Sequence, residues 1–302
     1  MIKNFKQLVT EAKSRHGVTV GVPVPEDAVS ILTVIHARKE NLADFVLCGD
    51  SGRILALLRE HGGKPADYEI IAAENEEAAA RRIVELAREG RIKVILKGNL
   101  PTAALMKPIL DKEQGLRTGN LFSDILIIEN PAAASQELLG MTDGGLNILP
   151  DLEQKRQIVE NAVAVFHRLG YVEPRVGIMA AIETVKDSMP ATTDAQKLTE
   201  MNQRGEIKGC SLYGPLALDI AVSPQAATHK GIAHPVAGRV QIMVVPNIES
   251  GNLLGKAFTY YLKIPVSHVI MGARIPILIP SRNESDQDKF YSVALGVTVA
   301  GH

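Results

Sequence analysis

"DFVLCGDSGRILALLRE", residues 44–60, contains the two periodicities that decide the fold. Residues 44–48 form a short apolar run, which is typical of a strand buried on both faces of a parallel sheet. Residues 52–60 place apolar side chains at helical spacing between charged ones. A strand that leads directly into an amphipathic helix is the repeating unit of an α/β protein.

The same alternation extends outward from this stretch. We predict strands at residues 18–22, 44–48, 68–72 and 94–96, each followed by a helix, at residues 26–39, 52–60, 75–89 and 102–111. In the second half we predict helices at residues 152–169, 194–202, 216–221, 253–262 and 289–295, and strands at residues 175–182, 240–245 and 269–279. This order predicts a parallel sheet with helices on both faces.

A small-residue stretch interrupts the alternation at residues 132–151, "AAASQELLGMTDGGLNILPD". Its glycine pair and its proline are turn signals, so we interpret it as the crossing into a second domain. We therefore predict a first α/β domain of residues 1–130 and 274–302 and a second α/β domain of residues 131–273.

The composition excludes several classes of protein. With 33 basic and 34 acidic residues among 302, the formal charge is -1, which argues against a nucleic-acid or membrane-surface role. The two cysteines, Cys48 and Cys210, belong to no C-x-x-C pair and favour a reducing compartment. Neither a signal peptide nor a membrane helix is indicated. We expect a soluble, cytoplasmic protein.

The loop "IPSRNESDQDKF", residues 279–290, follows the last predicted strand. Ser285 and Asp288 have the spacing of a capping box at the start of a helix. That local role leaves Ser281 and Arg282 unexplained at the carboxyl end of a strand, where open α/β sheets bind ligands. The sequence thus allows both a helix cap and a ligand loop here.

The junction "ILKGNLPTAALMKPIL", residues 95–110, joins a strand to a helix through Gly98 and Asn99. The helix start offers free N–H groups and the positive end of a dipole, and Lys97 and Lys107 add charge, which would suit an anion. A tight glycine turn with solvated lysines is the alternative.

A second junction, "VVPNIESGNLLGKAF", residues 244–258, resembles a nucleotide-binding P-loop only superficially. Its glycines are one residue too close, and Ala257 stands where a P-loop has Ser or Thr for magnesium. Glu249, Ser250, Gly251 and Asn252 still lie at a helix start after a buried strand. Helix capping by Ser250 or Asn252 is the alternative to ligand binding. No H-E-x-x-H or G-x-G-x-x-G motif occurs, so a zinc or dinucleotide site has weak support.

Four segments together resemble the phosphate acetyltransferase and phosphate butyryltransferase family, and its butyryl branch more closely. They are "LKGNLPTAALMKPIL", "YGPLALDIAVSP", "VVPNIESGNLLGKAFTYYL" and "VIMGARIPILIPSRNESDQD", in the family's order over about residues 94–288. The resemblance implies a two-domain, three-layer α/β/α fold like that of isocitrate and isopropylmalate dehydrogenases. It also implies a dimer that binds coenzyme A along an interdomain cleft, with no metal and no permanently bound cofactor.

The resemblance also implies a catalytic set. Arg282 would clamp phosphate, and Ser281 would hydrogen-bond the thioester carbonyl oxygen as it becomes negative. Asp288 would take the thiol proton of coenzyme A when acyl phosphate is the acyl donor, with Asp286 as the rival for that role. The turn at residues 98–102, with Thr102, and the turn at residues 249–252 would line the walls of the cleft.

Two departures from the acetyl enzymes concern the substrate. Lys107 stands where they tend to have an arginine, and Tyr213 where they usually have an aspartate. The implied activity is transfer of a butyryl or branched C4–C5 acyl group between coenzyme A and inorganic phosphate. The alternatives are a phosphate acetyltransferase, a decarboxylating NAD-dependent dehydrogenase and a non-catalytic acyl-CoA binding protein.

Overall fold

The computed structural model describes residues 1–132, 137–281 and 284–300. Its helices are α1 Phe5–Ser14, α2 Ala28–Lys39, α3 Ser51–Glu60, α4 Glu76–Arg88, α5 Thr102–Ile109, α6 Leu152–Arg168, α7 Pro190–Gln203, α8 Leu218–Val222, α9 Pro224–His229, α10 Ile248–Tyr260 and α11 Asp286–Val299. Its strands are β1 Thr19–Pro23, β2 Asp44–Gly49, β3 Glu69–Ala72, β4 Val94–Leu96, β5 Ser123–Glu129, β6 Leu138–Thr142, β7 Arg175–Met179, β8 Ser211–Leu216, β9 Ile242–Val244, β10 Val266–Met271 and β11 Ile277–Leu278. The predicted mixed α/β architecture is confirmed.

The chain forms two compact units. Unit I comprises Lys6–Asn120 and Ser267–His302, and unit II comprises Met1–Phe5 and Leu121–Val266. The domain bounds that we predict from the sequence, residues 1–130 with 274–302 and residues 131–273, stay a prediction, because compactness alone does not show that a segment folds independently.

Unit I contains strands in the order β3-β2-β1-β4-β11-β10. All neighbours pair in parallel except β10 and β11, which are antiparallel. Helix α11 packs against α2, β4 and β11 and is buried along most of its length. The core of this unit is therefore completed by a helix from the end of the chain.

The single strand predicted at residues 269–279 is wrong. The chain forms β10, turns, and returns as β11, with Ile270 opposite Ile277. Gly272 adopts φ +100°, a conformation that side chains other than glycine rarely adopt, and Pro276 closes the turn. The amide of Arg274 within the turn donates to the Leu116 carbonyl at 2.9 Å. The predominantly apolar run at residues 269–279 therefore contains a reversal of direction at Gly272 to Pro276.

Unit II contains strands in the order β5-β6-β9-β7-β8, parallel except for β5 and β6. Strand β6 lies in the stretch of residues 132–151 that the sequence suggests is a crossing, and all five of its residues are buried. Gly140 is required there because a Cβ would lie 2.6 Å from the Phe166 ring. The small residue thus reflects tight packing of α6 rather than a linker.

Helix starts follow strand ends in both units. Asp27, Asp50 and Asn75 in unit I and Asp151 and Asn247 in unit II each accept the backbone N–H three residues later. Such caps satisfy otherwise unpaired amides and fix where each helix begins. In the described part of the chain, none of the helices combines the length and apolar character that a membrane span requires.

Candidate active site

A cavity of about 280 Å³ lies in unit I beside the carboxyl ends of β4 and β11. Three segments surround it: the start of α2, the turn after β4, and the loop from β11 into α11. Its lining comprises Asp27, Val29, Ser30, Thr33, Leu96, Lys97, Gly98, Asn99, Pro280, Ser281 and Lys289. The carboxyl edge of a parallel sheet is where α/β proteins bind their ligands.

Four of the residues predicted from the sequence meet at this cavity: Lys97, Gly98, Asn99 and Ser281. They converge because β4 and β11 are adjacent and parallel, with Leu96 level with Leu278. Parallel neighbours end at the same edge of a sheet, so the segments that follow them lie side by side. This register brings a hydroxyl and an ammonium group to one cavity.

Gly98 allows the turn after β4 to pack against the end of β1. A Cβ at this position would lie 2.3 Å from the Pro23 carbonyl oxygen and 2.5 Å from that of Val24. The Asn99 amide donates to the same Val24 oxygen at 2.7 Å. The role of Gly98 that the structure supports is therefore close approach of two backbones.

The start of α2 contributes side chains that the sequence analysis missed. The Asp27 carboxylate accepts the Ser30 amide at 2.8 Å and the Ser30 hydroxyl at 3.0 Å. Thr33 is buried and donates its hydroxyl to the Val29 carbonyl at 2.9 Å. The sequence did contain a signal for this segment. Asp27 lies a few residues after the strand predicted at residues 18–22, which is where a helix cap at a ligand-binding edge of the sheet is expected.

The turn that carries Ser281 is held by Glu284. The Ser281 amide donates to Glu284 Oε1 at 2.9 Å, and the Glu284 amide donates to the Ser281 carbonyl at 3.1 Å. Glu284 Oε1 also lies 3.5 Å from Nε2 of His268. No role was predicted for Glu284, because only the fold places His268 beside it. Arg282, the predicted phosphate clamp, lies outside the described residues.

The predicted capping box at the start of α11 is confirmed. Asp288 Oδ2 accepts the Ser285 hydroxyl at 2.6 Å and the Ser285 amide at 3.1 Å, and the Asp288 amide donates to the Ser285 hydroxyl at 3.1 Å. Asp288 is 9% exposed, whereas Asp286 is exposed. The two candidate bases therefore differ sharply in solvation.

Lys289 was also missed by the sequence analysis. Its side chain lines the cavity, the residue is 6% exposed, and its Nζ donates to the Glu284 carbonyl at 2.8 Å. Burial of a lysine next to a run of acidic residues leaves no signature in the sequence, because the same pattern suits a solvated helix face.

Two predicted binding residues do not line this cavity. Thr102 is exposed at the start of α5. The Lys107 side chain is 74% exposed, and its Nζ lies 3.2 Å from Glu77 Oε1. Both residues thus lie on α5, the helix that follows the turn containing Lys97 and Gly98, and their side chains face solvent.

The other predicted binding residues, Glu249, Ser250, Gly251 and Asn252, lie at the start of α10 in unit II. The cap suggested at Ser250 or Asn252 is wrong: Asn247 caps the helix, and its Oδ1 accepts the Ser250 amide at 3.0 Å. The Ser250 hydroxyl lies 2.7 Å from the same Oδ1 and donates to it. These residues are therefore set by the cap three positions earlier.

A buried aspartate, Asp143, organises the turn after β6. Its carboxylate accepts the amides of Gly145 and Leu146 at 2.8 and 2.9 Å, and the side-chain amide of Asn147. Burial raises the pKa of Asp143 above its usual value, and the nearby carboxylate of Asp124 raises it further. The backbone amide of Asp124 also donates to it at 3.3 Å, so four donors hold this carboxylate and the turn has little freedom.

The Asp143 turn lies directly against α10. A Cβ at Gly251 would be 2.7 Å from the Gly144 Cα, and the Asn252 side-chain amide lies 3.4 Å from the Gly144 carbonyl oxygen. Two glycines therefore face each other, and the helix start is packed against backbone.

Tyr213, where acetyl enzymes usually have an aspartate, stacks on His234 with ring centroids 4.2 Å apart. Burial lowers the pKa of His234. An aromatic pair thus replaces a charge at this position of unit II. Within the described ranges, no three His, Cys, Asp or Glu side chains group as metal ligands would.

Comparisons with known proteins fit this arrangement. The model of the family described as "Phosphate acetyl/butaryl transferase" matches residues 78–297. A phosphate butyryltransferase from Clostridium acetobutylicum is 38% identical over 302 residues, which cover all of both chains. A phosphate acetyltransferase from Thermotoga maritima is 36% identical over 98% of this chain and all of its own.

A crystal structure agrees with these sequence matches. The branched-chain phosphotransacylase from Enterococcus faecalis superposes with a TM-score of 0.83 at 28% identity, over 94% of this chain and 99% of its own. At this coverage the match includes most of each unit. The chain belongs to the phosphate acetyl/butaryl transferase family.

Proposed function

We propose that this protein is an enzyme that transfers a short acyl group reversibly between coenzyme A and inorganic phosphate. The observation that carries the proposal is 38% identity, over the full length of both chains, to a phosphate butyryltransferase. The cavity of unit I supports it, because Ser281 and Lys97 lie together there at the carboxyl edge of the sheet.

The reaction needs no nucleophile from the enzyme, because phosphate is itself an anion. A phosphate oxygen attacks the thioester carbonyl carbon, a C–O bond forms, and the C–S bond breaks. Acyl phosphate and the thiolate of coenzyme A result, and the thiolate then takes a proton. The protein must hold two anionic reactants in contact and stabilise the carbonyl oxygen as its charge develops.

We assign the chemical roles to the loop between β11 and α11. Ser281 donates to the carbonyl oxygen, and Arg282 clamps phosphate oxygens through its planar fork. In the reverse direction, Asp288 takes the thiol proton as coenzyme A attacks acyl phosphate. Its position supports this choice, since Asp288 is 9% exposed and held by Ser285, whereas Asp286 is exposed to solvent.

We assign a butyryl or branched C4–C5 group as the preferred acyl group. Val29, Leu96 and Pro280 give the cavity an apolar wall. Each methylene buried in such a wall changes selectivity by about 10- to 200-fold. A preference for acetyl is the alternative, because a phosphate acetyltransferase is 36% identical to this chain.

We further propose that coenzyme A binds as a substrate and that no cofactor is permanently bound. The residues proposed to contact coenzyme A are Lys97, Gly98, Asn99, Thr102, Lys107, Glu249, Ser250, Gly251 and Asn252. The start of α5, which has no side-chain cap, supports this proposal, because an uncapped helix start favours the phosphate groups of the ligand. Activity that is unchanged after dialysis against EDTA is the expected result.

We propose that the protein acts as a homodimer. Helix α10 buries Gly251, Gly255 and Phe258. Its other face leaves Leu253 and Tyr260 exposed, with exposed fractions of 75% and 58%. Tyr261 and Leu262, which follow the helix, are 87% and 58% exposed. An apolar patch of this kind is typical of an interface between proteins. Light scattering should give twice the mass of the chain.

We propose a cytoplasmic location from the state of the cysteines. Cys48 and Cys210 are unpaired and buried in different units. Burial raises the pKa of Cys48 to about 11 and that of Cys210 to about 12, so both remain thiols at neutral pH. Buried, unpaired thiols are common in reducing compartments. Fractionation of cells that express the chain tests this location.

The deciding experiment measures thiol release from butyryl-CoA with and without inorganic phosphate, with acetyl-CoA and isobutyryl-CoA alongside. Phosphate-dependent release that is fastest with four-carbon chains is expected. Fastest release with acetyl-CoA would favour a phosphate acetyltransferase. Binding of acyl-CoA without release would indicate a non-catalytic binding protein, and NAD reduction without release would indicate a dehydrogenase.

A further inference from the structure

Lys289 is a buried cation with little local compensation. The residue is 6% exposed, and its Nζ donates to the main-chain carbonyl of Glu284 at 2.8 Å. A carbonyl oxygen takes one of the three N–H groups and carries no net charge. Burial of an ammonium group is costly unless an anion accompanies it. The position therefore calls for a negative partner.

The surrounding carboxylates hold other donors. Glu284 accepts the amide of the serine at the loop start, Asp288 accepts from its capping partner, and Asp27 accepts from the first turn of α2. Within residues 1–132, 137–281 and 284–300, the ammonium of Lys289 forms no ion pair with a carboxylate. The protein thus supplies Lys289 with a hydrogen-bond acceptor but with no counter-charge from these residues.

The turn after β4 contributes a second ammonium group to the cavity, that of Lys97. Lys97 Nζ lies 3.3 Å from the Gly98 carbonyl oxygen, and both residues line the cavity with Lys289. Val29 and Ser30, in the first turn of α2, also line it, and a helix start favours anions. Among the described lining residues, Asp27 is the one with a carboxylate. Two ammonium groups and a helix start therefore outweigh a single negative charge.

We propose that Lys289 is a phosphate-binding residue, whose ammonium group contacts an oxygen of the inorganic phosphate that attacks the thioester. The inference rests on the proposed function. Ser281 lines the same cavity, so a carbonyl held by its hydroxyl lies within reach of a phosphate held by Lys289. The phosphate groups of coenzyme A have the same chemistry, and the test separates the two sources.

The test compares three variants with the wild type in the thiol-release assay. Lys289→Gln removes the charge but keeps an N–H donor for the Glu284 carbonyl, and Lys289→Arg keeps the charge. Lys39→Met, at the exposed end of α2, is the matched loss of one positive charge elsewhere in unit I. KM is measured separately for phosphate and for butyryl-CoA.

We expect Lys289→Gln to raise the phosphate KM at least tenfold and to change the butyryl-CoA KM less than threefold. Lys289→Arg should stay within a few-fold of the wild type, and Lys39→Met should match it. In addition, inorganic phosphate should raise the Tm of the wild type more than that of Lys289→Gln. A purely structural role would lower the Tm without this change in phosphate dependence.

Two results would overturn the inference while leaving the proposed function intact. One is an unchanged phosphate KM in Lys289→Gln. The other is a rise in the butyryl-CoA KM instead, which would assign Lys289 to a phosphate of coenzyme A. If Lys289→Gln does not fold, Lys289→Met is measured instead under the same criteria. In that case too, the phosphate KM of Lys289→Arg must stay within a few-fold of the wild type. Absence of phosphate-dependent release in the wild type would instead refute the proposed function.

Discussion

Two strand-to-helix junctions that look alike in the sequence differ in the structure. The turn at Gly98 and Asn99 opens onto a cavity with two ammonium groups, whereas the helix start at Gly251 and Asn252 is packed against the backbone of Gly144. Glycine signals a close approach of backbones in both places. Each junction also has a parallel neighbour strand whose following loop lies at the same edge, β11 beside β4 and β6 beside β9.

The charges of the two junctions differ as well. The first has Lys97 and Lys289 around an open space, and the second has Asp143 surrounded by donors of its own turn. Four donors satisfy the Asp143 carboxylate, whereas within the described residues the Lys289 ammonium donates to a single carbonyl oxygen. The difference teaches that two junctions of similar sequence can differ in how completely their charged groups are satisfied by the protein itself.

The largest expected effect is on kcat and comes from removing the Ser281 hydroxyl at the first junction. Ser281→Ala should lower kcat about 10²- to 10³-fold, the cost of losing one donor to a developing oxyanion. Steady-state thiol release measures it, with Ser14→Ala on the exposed side of α1 as the control. A kcat within threefold of the wild type would remove Ser281 from the chemistry and weaken the contrast between the two junctions.

Next in size is the steric role of Gly98. Gly98→Ala should lower the free energy of unfolding by about 2 kcal/mol or more, because the new Cβ meets carbonyl oxygens that cannot move independently. Urea denaturation followed by circular dichroism measures it. Gly52→Ala, in helix α3, should be neutral or stabilising by up to about 1 kcal/mol. Equal effects of the two substitutions would show that the turn adapts.

A smaller effect is expected from the helix cap beside the cavity. Ser285→Ala should lower the free energy of unfolding by about 1 kcal/mol, as should Asp151→Ala in the capping box of α6. We expect only Ser285→Ala to lower kcat as well, because Asp288 loses its partner. A kcat effect of the same size in Asp151→Ala would mean that stability alone explains both results.

The smallest expected effect is a pH dependence of the free energy of unfolding, caused by Asp143 at the second junction. The pKa of Asp143 is raised in the folded protein, so the folded state keeps its proton to higher pH than the unfolded chain does. The stability from that proton is present below the unfolded pKa, near 3.8, and is lost as pH rises through the folded pKa. Asp143→Asn should abolish this decline.

Urea denaturation of both proteins at a series of pH values from 3.5 upward measures the slope. The substitution also costs stability at every pH, because its amide faces the amide of Asn147. The slope isolates the titration from that constant loss. A wild-type stability that rises with pH relative to Asp143→Asn would contradict the assignment.

Much of the fold follows from the sequence because the spacing of apolar residues differs between strands and helices. Strands such as β2 are apolar throughout and their helices are amphipathic, so both were predicted close to their observed ends. Strand β6 was missed because it lies among small residues and directly precedes the turn signals at Gly144, Gly145 and Pro150. The reversal at Gly272 was missed because the residues on both of its sides are apolar.

The site was predictable only in part. Ser281 and the turn at Lys97 were predicted from loop composition and a family resemblance, and both line the cavity. Lys289 and Asp27 were missed because their importance depends on which strands are neighbours and which helix is buried. Pairing of β4 with β11 is a long-range property that no local pattern encodes.

The placement of α11 has a consequence for how the protein is made. The cavity takes its walls from α2, from the turn after β4 and from α11, and α11 also fills the core against α2 and β4. A ribosome releases α2 and β4 long before α11. A nascent or prematurely terminated chain that lacks α11 therefore has neither a finished core in unit I nor a complete cavity. Synthesis of this helix thus completes the core and the candidate site in one step.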